Sequence, residues 1–94
     1  MAQFALCYEY DLALAEARSD LLEEHRSWVA SILDAGHLLA AGAFADGTGA
    51  VIVLEYPTLE EAGAVAVTDP FVVHGLVERS SLREWANRWG PWVR

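Results

Sequence analysis

An Asp-Gly step between two apolar segments constrains the fold more than any other feature of this chain. The segments HLLAAGAF and AVIVLEY lie in the middle of the sequence and are separated by Asp46-Gly47-Thr48-Gly49. Asp-Gly is one of the strongest short-range hairpin signals, because glycine adopts the positive φ that a tight turn requires. The two segments are therefore predicted to be β-strands that pair antiparallel.

A strand and a helix are predicted before this hairpin. The segment Gln3–Tyr10 is short, apolar and aromatic, which is typical of a strand. Residues Leu12–Arg18 are ambiguous: they fit either a loop with a turn or an extension of the helix that follows. Ser19 is a suitable N-cap for that helix, which is predicted to run to Gly36, a residue that can take positive φ after the last turn.

A second helix is predicted after the hairpin. Thr58 and Glu61 have the T-x-x-E spacing of a capping box, in which the threonine hydroxyl caps the helix N-terminus. Asp69-Pro70 is predicted to end this helix, because the residue before a proline avoids the α region. Residues 71–75 are then expected to form a short connection.

The order of these elements predicts a single α+β domain. With Leu76–Trp85 as the last strand, the order is β-α-β-β-α-β, which is that of a ferredoxin-like plait. The core is expected to span about residues 3–86, and a Trp-rich tail occupies residues 87–94. Both helices would cover one face of the sheet.

The opposite sheet face is predicted to be apolar as well. Strands such as AVIVL are apolar at both alternating positions, and 54% of the chain is hydrophobic, including four tryptophans. A domain of 94 residues has little interior in which to bury such a load. We therefore expect a homodimer through the open sheet face, with Trp89 and Trp92 of the tail packed against the partner subunit.

The charge of the chain excludes several classes of partner. The net charge is −8, and every one of the six cations is an arginine, so nucleic acid and anionic membranes would be repelled. No H-x-x-x-H or paired-cysteine spacing indicates a metal site, and no glycine-rich strand-to-helix turn indicates a nucleotide cofactor. The chain is therefore expected to need no cofactor. The N-terminal residues lack a basic leader, and no apolar run approaches roughly 20 residues, which predicts a cytoplasmic protein.

A histidine lies at the centre of the apolar face of the first helix. At about 100° per residue, six apolar side chains fall within roughly 80° of His25. They are Leu21, Leu22, Trp28, Val29, Ile32 and Leu33. His25 therefore points toward the core or a cleft. It is either a core histidine bonded to a backbone carbonyl or a proton-transfer group that works near neutral pH.

Several segments together resemble the YCII-related proteins. They are the mid-helix His25, AGHLLAAGAFADGTGAVIVLE, LEEA and DPFVVHGLVE, and they cover nearly the whole chain. The resemblance implies a ferredoxin-like chain that pairs into a dimeric α/β barrel, in which His25 and Asp69 form a catalytic dyad. The chain departs from the family's pattern at Gly42-Ala43, where many relatives have Gly-Pro, and in the longer segment Leu12–Arg18.

The resemblance also implies a function, namely elimination or isomerisation of a small molecule, of the dehydrochlorinase kind and without a cofactor. Asp69 would accept a hydrogen bond from one ring nitrogen of His25, fix its tautomer and leave the other nitrogen to take or give a proton. The same carboxylate can also cap a turn, alone or in addition. The candidate substrate-binding residues are Tyr8, Phe44, Phe71 and His74. The alternative is a dimeric accessory protein that binds a small ligand or regulates without turnover.

Overall fold

Four β-strands and four helices form the structure, a computed structural model that describes residues 1–94. In chain order they are β1 (Ala2–Glu9), a 3-10 turn (Leu12–Leu14), α1 (Ala15–Asp20), α2 (Leu22–Asp34), β2 (Leu38–Ala43), β3 (Gly49–Tyr56), α3 (Leu59–Ala66), α4 (Pro70–Val73) and β4 (Arg79–Glu84). None of the helices combines the length and the apolarity that crossing a membrane would need.

The strands form one antiparallel sheet in the order β2-β3-β1-β4. Strand β1 pairs antiparallel with both β3 and β4. The predicted hairpin is confirmed, because β2 and β3 pair antiparallel and Gly47 takes a φ of 76° in the turn between them. The sheet and its helices form the ferredoxin-like α+β fold that the order of elements predicts.

The core lies between the sheet and the helices. Alternate side chains of β1 and β3 point to the same face of the sheet, and the helices cover that face. The buried cluster consists of Phe4, Leu6, Tyr8, Ala50, Ile52, Leu54 and Tyr56 from the sheet, with Ile32, Ala62 and Ala66 from the helices. Helix α2 contributes Ile32 to this cluster, and α3 contributes Ala62 and Ala66.

The first helical region differs from its prediction. Helix α1 begins at Ala15, so Ser19 lies inside a helix and does not cap one. Asp11 caps the preceding 3-10 turn through its side chain, so helical structure starts well before Ser19. Leu21, with φ −105° and ψ 10°, separates α1 from α2. After α2, Gly36 has the expected positive φ of 84°.

The second helix begins as predicted but ends earlier. The Thr58 hydroxyl caps α3 by accepting a hydrogen bond from the backbone N–H of Glu61 at 3.2 Å. The helix ends at Ala66, before the Asp69-Pro70 step is reached. The proline is therefore not the residue that ends this helix.

Pro70 instead begins a helix of its own, α4. Proline is favoured at the first position of a helix, where its missing N–H would have no partner in any case and its φ is already helical. Residues 71–75, which were expected to be a plain connection, are therefore partly helical. The last strand is correspondingly shorter than the predicted Leu76–Trp85.

The C-terminal tail folds back over one end of the open sheet face. The Gln3 side-chain amide donates to the carbonyl of Trp92, and its oxygen accepts from Asn87 at 3.1 Å. Arg94 forms an ion pair with Glu55 at 2.9 Å, and its hydrogen bond lowers the pKa of that carboxyl. The tail is thus held by its own sheet, whereas the Trp89 side chain is 90% exposed.

Candidate functional site

His25 and Asp69 meet at the junction of α2 and α4. The His25 Nδ1 atom lies 2.8 Å from Asp69 Oδ1. The side chain of Asp69 is completely buried, whereas that of His25 is 15% exposed. Because an ionised carboxylate only accepts hydrogen bonds, the ring hydrogen is assigned to Nδ1. The Nε2 atom then carries a lone pair, and it has no hydrogen-bond partner in the protein.

Asp69 accepts hydrogen bonds from three different parts of the chain. Its Oδ1 atom accepts from His25 and from the backbone N–H of Phe71, the latter at 3.0 Å. Its Oδ2 atom accepts from the hydroxyl of Tyr8 at 2.8 Å. The bond from Phe71 is the N-cap of α4, so one carboxylate both caps a turn and holds the imidazole. Three donors compensate for the burial of its charge.

Two aromatic rings fix the plane of the imidazole. Phe71 lies parallel to it, with 4.2 Å between the ring centroids and an interplanar angle of 2°. Trp28 lies one turn further along α2, with 5.9 Å between its ring centroid and that of His25 and an angle of 30° between the two ring planes. The Trp28 indole is held in turn by a 2.9 Å hydrogen bond to the Thr68 hydroxyl. The imidazole is therefore constrained both in its plane and at Nδ1.

A cleft of about 570 Å³ opens beside the exposed edge of His25. It lies between α1 and α2 on one side and β2 and β3 on the other. Nine of the fifteen residues that line it are hydrophobic, and Leu22, Val29 and Ile52 are among them. Besides His25, the polar residues of the lining are Arg18, Ser19 and Arg26, which are close to one another in sequence. A volume of this size and an apolar lining are typical of a site for a small organic molecule.

The sequence of this chain matches the family model described as "YCII-related domain" over residues 1–86. The chain belongs to the YCII-related family. A search of curated proteins finds no match.

Among solved structures, this YCII-related chain is similar to 5-chloro-2-hydroxyhydroquinone dehydrochlorinase from Burkholderia phenoliruptrix, in a complex with 2,5-dihydroxybenzoquinone. The TM-score is 0.78, the sequence identity is 17%, and the match covers 88% of this chain and 92% of that one. At this identity the likeness shows that the two chains share a fold.

The structure brings some of the predicted site residues together and separates others. Phe71 lines the cleft and stacks on His25. Tyr8 does not face the cleft but lies behind Asp69, with its side chain buried. His74 is exposed at the end of α4, and Phe44, after the end of β2, is 49% exposed. Neither of these two residues is among those that line the cleft.

Arg18 is a cleft residue that the sequence reasoning missed. It is only 6% exposed, and its guanidinium carbon lies 4.2 Å above the ring centre of Tyr10. The residue ends the segment Leu12–Arg18, whose sequence fits either a loop or a helix. Arg18 belongs to α1 and His25 to α2, and the break at Leu21 lies between them, so the spacing on a single helix does not bring the two residues together.

Two arginines, Arg18 and Arg26, line the cleft together with His25. The polar residues of the lining are Arg18, Ser19, His25 and Arg26. No three His, Cys, Asp or Glu side chains converge where they could hold a metal ion. The arrangement is therefore that of an oriented imidazole beside an apolar hollow with basic groups at its edge.

Tyr8 is a buried phenol whose proton is held tightly. Burial raises the pKa of Tyr8, and the adjacent Asp69 raises it further through its negative charge and its hydrogen bond. An unfolded tyrosine loses its proton near its ordinary pKa of 10.0. In the folded protein Tyr8 thus remains a donor to Asp69 at a pH where the unfolded chain is already ionised.

Tyr8→Phe is expected to change the alkaline pH dependence of stability. Above about pH 10 the unfolded wild type releases the Tyr8 proton while the folded state keeps it. The contribution of Tyr8 to the free energy of unfolding therefore falls by about 1.4 kcal/mol per pH unit. At pH 7 the variant should be less stable by about 1–3 kcal/mol, because Asp69 Oδ2 loses its partner. Urea unfolding of both proteins between pH 8 and 11 measures the difference. Parallel stability curves would contradict this assignment.

Proposed function

We propose that this protein is a cofactor-independent enzyme that moves a proton during the elimination or isomerisation of a small molecule, with His25 as general base or acid. The observation that carries the proposal is the orientation of the imidazole. A fully buried carboxylate holds Nδ1, and Nε2 is left without a partner at the edge of an apolar cleft. A base near neutral pH that is fixed by a carboxylate is a common device for proton transfer.

The proposed chemistry begins at Nε2 of His25. This atom removes a proton from a carbon beside a carbonyl group, or from an activated ring, while Asp69 stabilises the imidazolium that forms. In an elimination, the electrons of the C–H bond form the new double bond and the leaving group departs with its own bonding pair. The imidazolium then returns its proton to solvent. In an isomerisation, the same proton returns to a different carbon of the substrate.

Turnover assays test the proposal directly. Purified protein is incubated with 5-chloro-2-hydroxyhydroquinone, and chloride release is measured. A set of small cyclic ketones is incubated in D2O in parallel, and deuterium incorporation beside the carbonyl is followed by NMR. We expect a saturable rate above that of buffer in at least one assay. Saturable binding without chloride release or deuterium incorporation would instead indicate a module that only binds or regulates.

We also propose that two copies of the chain pair through the open face of the sheet. Ala5, Cys7 and Val51 form a partly exposed apolar patch at the centre of this face. The tail covers only the end near Gln3 and Glu55. Analytical ultracentrifugation at micromolar concentration is expected to give the mass of two chains. A mass of one chain would contradict the pairing.

A further inference from the structure

Arg18 is a buried cation without a carboxylate partner. The ion pairs of the structure are His25 with Asp69 and Arg94 with Glu55. The chain contains 14 acidic residues, yet none lies within ion-pair distance of Arg18. A buried charge is costly unless an opposite charge or several hydrogen bonds accompany it. Arg18 therefore lacks the opposite charge that would offset its burial.

The protein uses only part of the Arg18 guanidinium. Its Nη1 atom donates to the carbonyl oxygens of Asp11 at 3.0 Å and Leu76 at 3.3 Å. The Nε and Nη2 atoms make no hydrogen bond to the protein. No side-chain nitrogen or oxygen is both fully buried and without a partner, so these two atoms retain accessible surface. Arg18 is also one of the residues that line the cleft.

The cleft is basic although the protein is strongly acidic. Arg18 and Arg26 are the charged residues of its lining, and no aspartate or glutamate belongs to that lining. The chain as a whole carries a net charge of −8. A hollow lined by cations with apolar walls concentrates the field and favours an anion over a neutral molecule of the same shape.

Aromatic contacts connect Arg18 to His25 along one wall of the cleft. The Arg18 guanidinium lies over the Tyr10 ring, and the Tyr10 ring meets Phe71 at 6.3 Å with an edge-to-face angle of 84°. Phe71 in turn stacks on His25. The planar guanidinium is thereby linked through two aromatic rings to the imidazole.

We propose that Arg18 binds an anionic oxygen, a carboxylate or an enolate, on a small ring or carbonyl compound in this cleft. The inference rests on the proposed function in that it assigns the substrate class of the same site. The anionic group would lie against Nε and Nη2 of Arg18, and the rest of the compound would extend along Tyr10 and Phe71 toward Nε2 of His25. Arg18 would then position the substrate, and His25 would move the proton.

Benzoate and benzamide test this proposal, because they have nearly the same size and shape but differ in charge. Each is titrated into the ¹⁵N-labelled wild-type protein, and the affinity is taken from amide shifts. We expect benzoate to bind at least ten times more tightly than benzamide, with the largest shifts at residues that line the cleft. Equal affinities of the wild type for the two compounds would overturn the proposal without any variant.

Arg18→Gln removes the charge and is expected to abolish the preference for benzoate. Arg88→Gln is the matched control, because Arg88 is an exposed arginine outside the cleft, and it should retain the tenfold preference. Arg18→Lys keeps the charge but lacks the planar fork, and we expect an intermediate preference. A folded Arg18→Gln protein that still prefers benzoate tenfold would overturn the assignment and leave Arg18 a purely structural role.

The outcomes separate this inference from the proposed function. A preference for benzoate that depends on Arg18, in a protein with no turnover, would support the anion site and contradict the proposed enzyme activity. Turnover that depends on His25, together with equal binding of benzoate and benzamide, would support the enzyme activity and contradict the anion site.

Discussion

His25→Asn is expected to lower the rate of turnover by about 10²–10⁴-fold, the usual contribution of a positioned general base. Asparagine can place its amide nitrogen close to the position of Nδ1, so the donor to Asp69 is retained. The variant has no atom that corresponds to Nε2, so the group that takes the proton is removed. Chloride release or deuterium incorporation measures the rate, and thermal unfolding verifies that the fold is intact.

His37 offers a matched control for this substitution. Its Nδ1 atom also makes a 2.8 Å hydrogen bond, to the carbonyl oxygen of Glu55, and its ring also stacks on an aromatic ring, that of Tyr56, at 4.2 Å. It does not line the cleft. His37→Asn should therefore keep the wild-type rate. Equal losses in the two variants would show that the rate reports stability, and a His25→Asn protein with a normal rate would remove the general base from the proposal.

Local signals were sufficient for the framework of the fold. The Asp-Gly hairpin, the Thr58 cap and the positive φ of Gly36 all depend on residues that are close in sequence, and each is found in the structure. The same is true of the orientation of His25 on its helix. Ile32, which the helical wheel places within about 20° of His25, is buried, whereas Leu33, at the edge of the predicted arc, is 58% exposed. The buried face of α2 is thus narrower than the arc of apolar residues that the sequence shows.

The composition of the site could be predicted only in part. The contact between Tyr8 and Asp69 joins residues 61 positions apart, and it depends on which strand lies under α4. Nothing local in the sequence specifies that neighbour. Arg18 was missed for a different reason, since the chain breaks at Leu21 without a glycine or proline to mark the break. The family resemblance paired His25 with Asp69, but it did not indicate the third donor or the basic edge of the cleft.

Asp69→Ala is expected to be among the most destabilising single substitutions in this protein. It removes the cap of α4 and leaves the buried Tyr8 hydroxyl and the His25 Nδ1 hydrogen without acceptors. A lost cap costs about 1 kcal/mol, and each buried donor without a partner costs about 1–3 kcal/mol. We expect a total of about 3–5 kcal/mol, which lowers the Tm of a domain of this size by about 15 °C or more.

Asp46→Ala serves as the control for the cap alone. The Asp46 carboxylate accepts a 3.0 Å hydrogen bond from the backbone N–H two residues further on, just as Asp69 does, but it is exposed and has no buried partners. Its loss should lower the Tm far less than the loss of Asp69. Similar decreases in the two variants would mean that the buried donors around Asp69 contribute little.

Asp69→Asn separates stability from catalysis. The amide oxygen can still accept from His25 and Phe71, and the amide nitrogen can donate to the Tyr8 oxygen, but the buried Tyr8 hydroxyl hydrogen loses its acceptor. The Tm should therefore fall, but by less than in Asp69→Ala. The negative charge is lost, however, and with it the stabilisation of the imidazolium that proton transfer creates. We therefore expect turnover to fall by about 10²-fold or more in a protein that is still folded at the assay temperature. If Asp69 served only as a cap, the folded asparagine variant would turn over at the wild-type rate, because asparagine is an equally good N-cap residue.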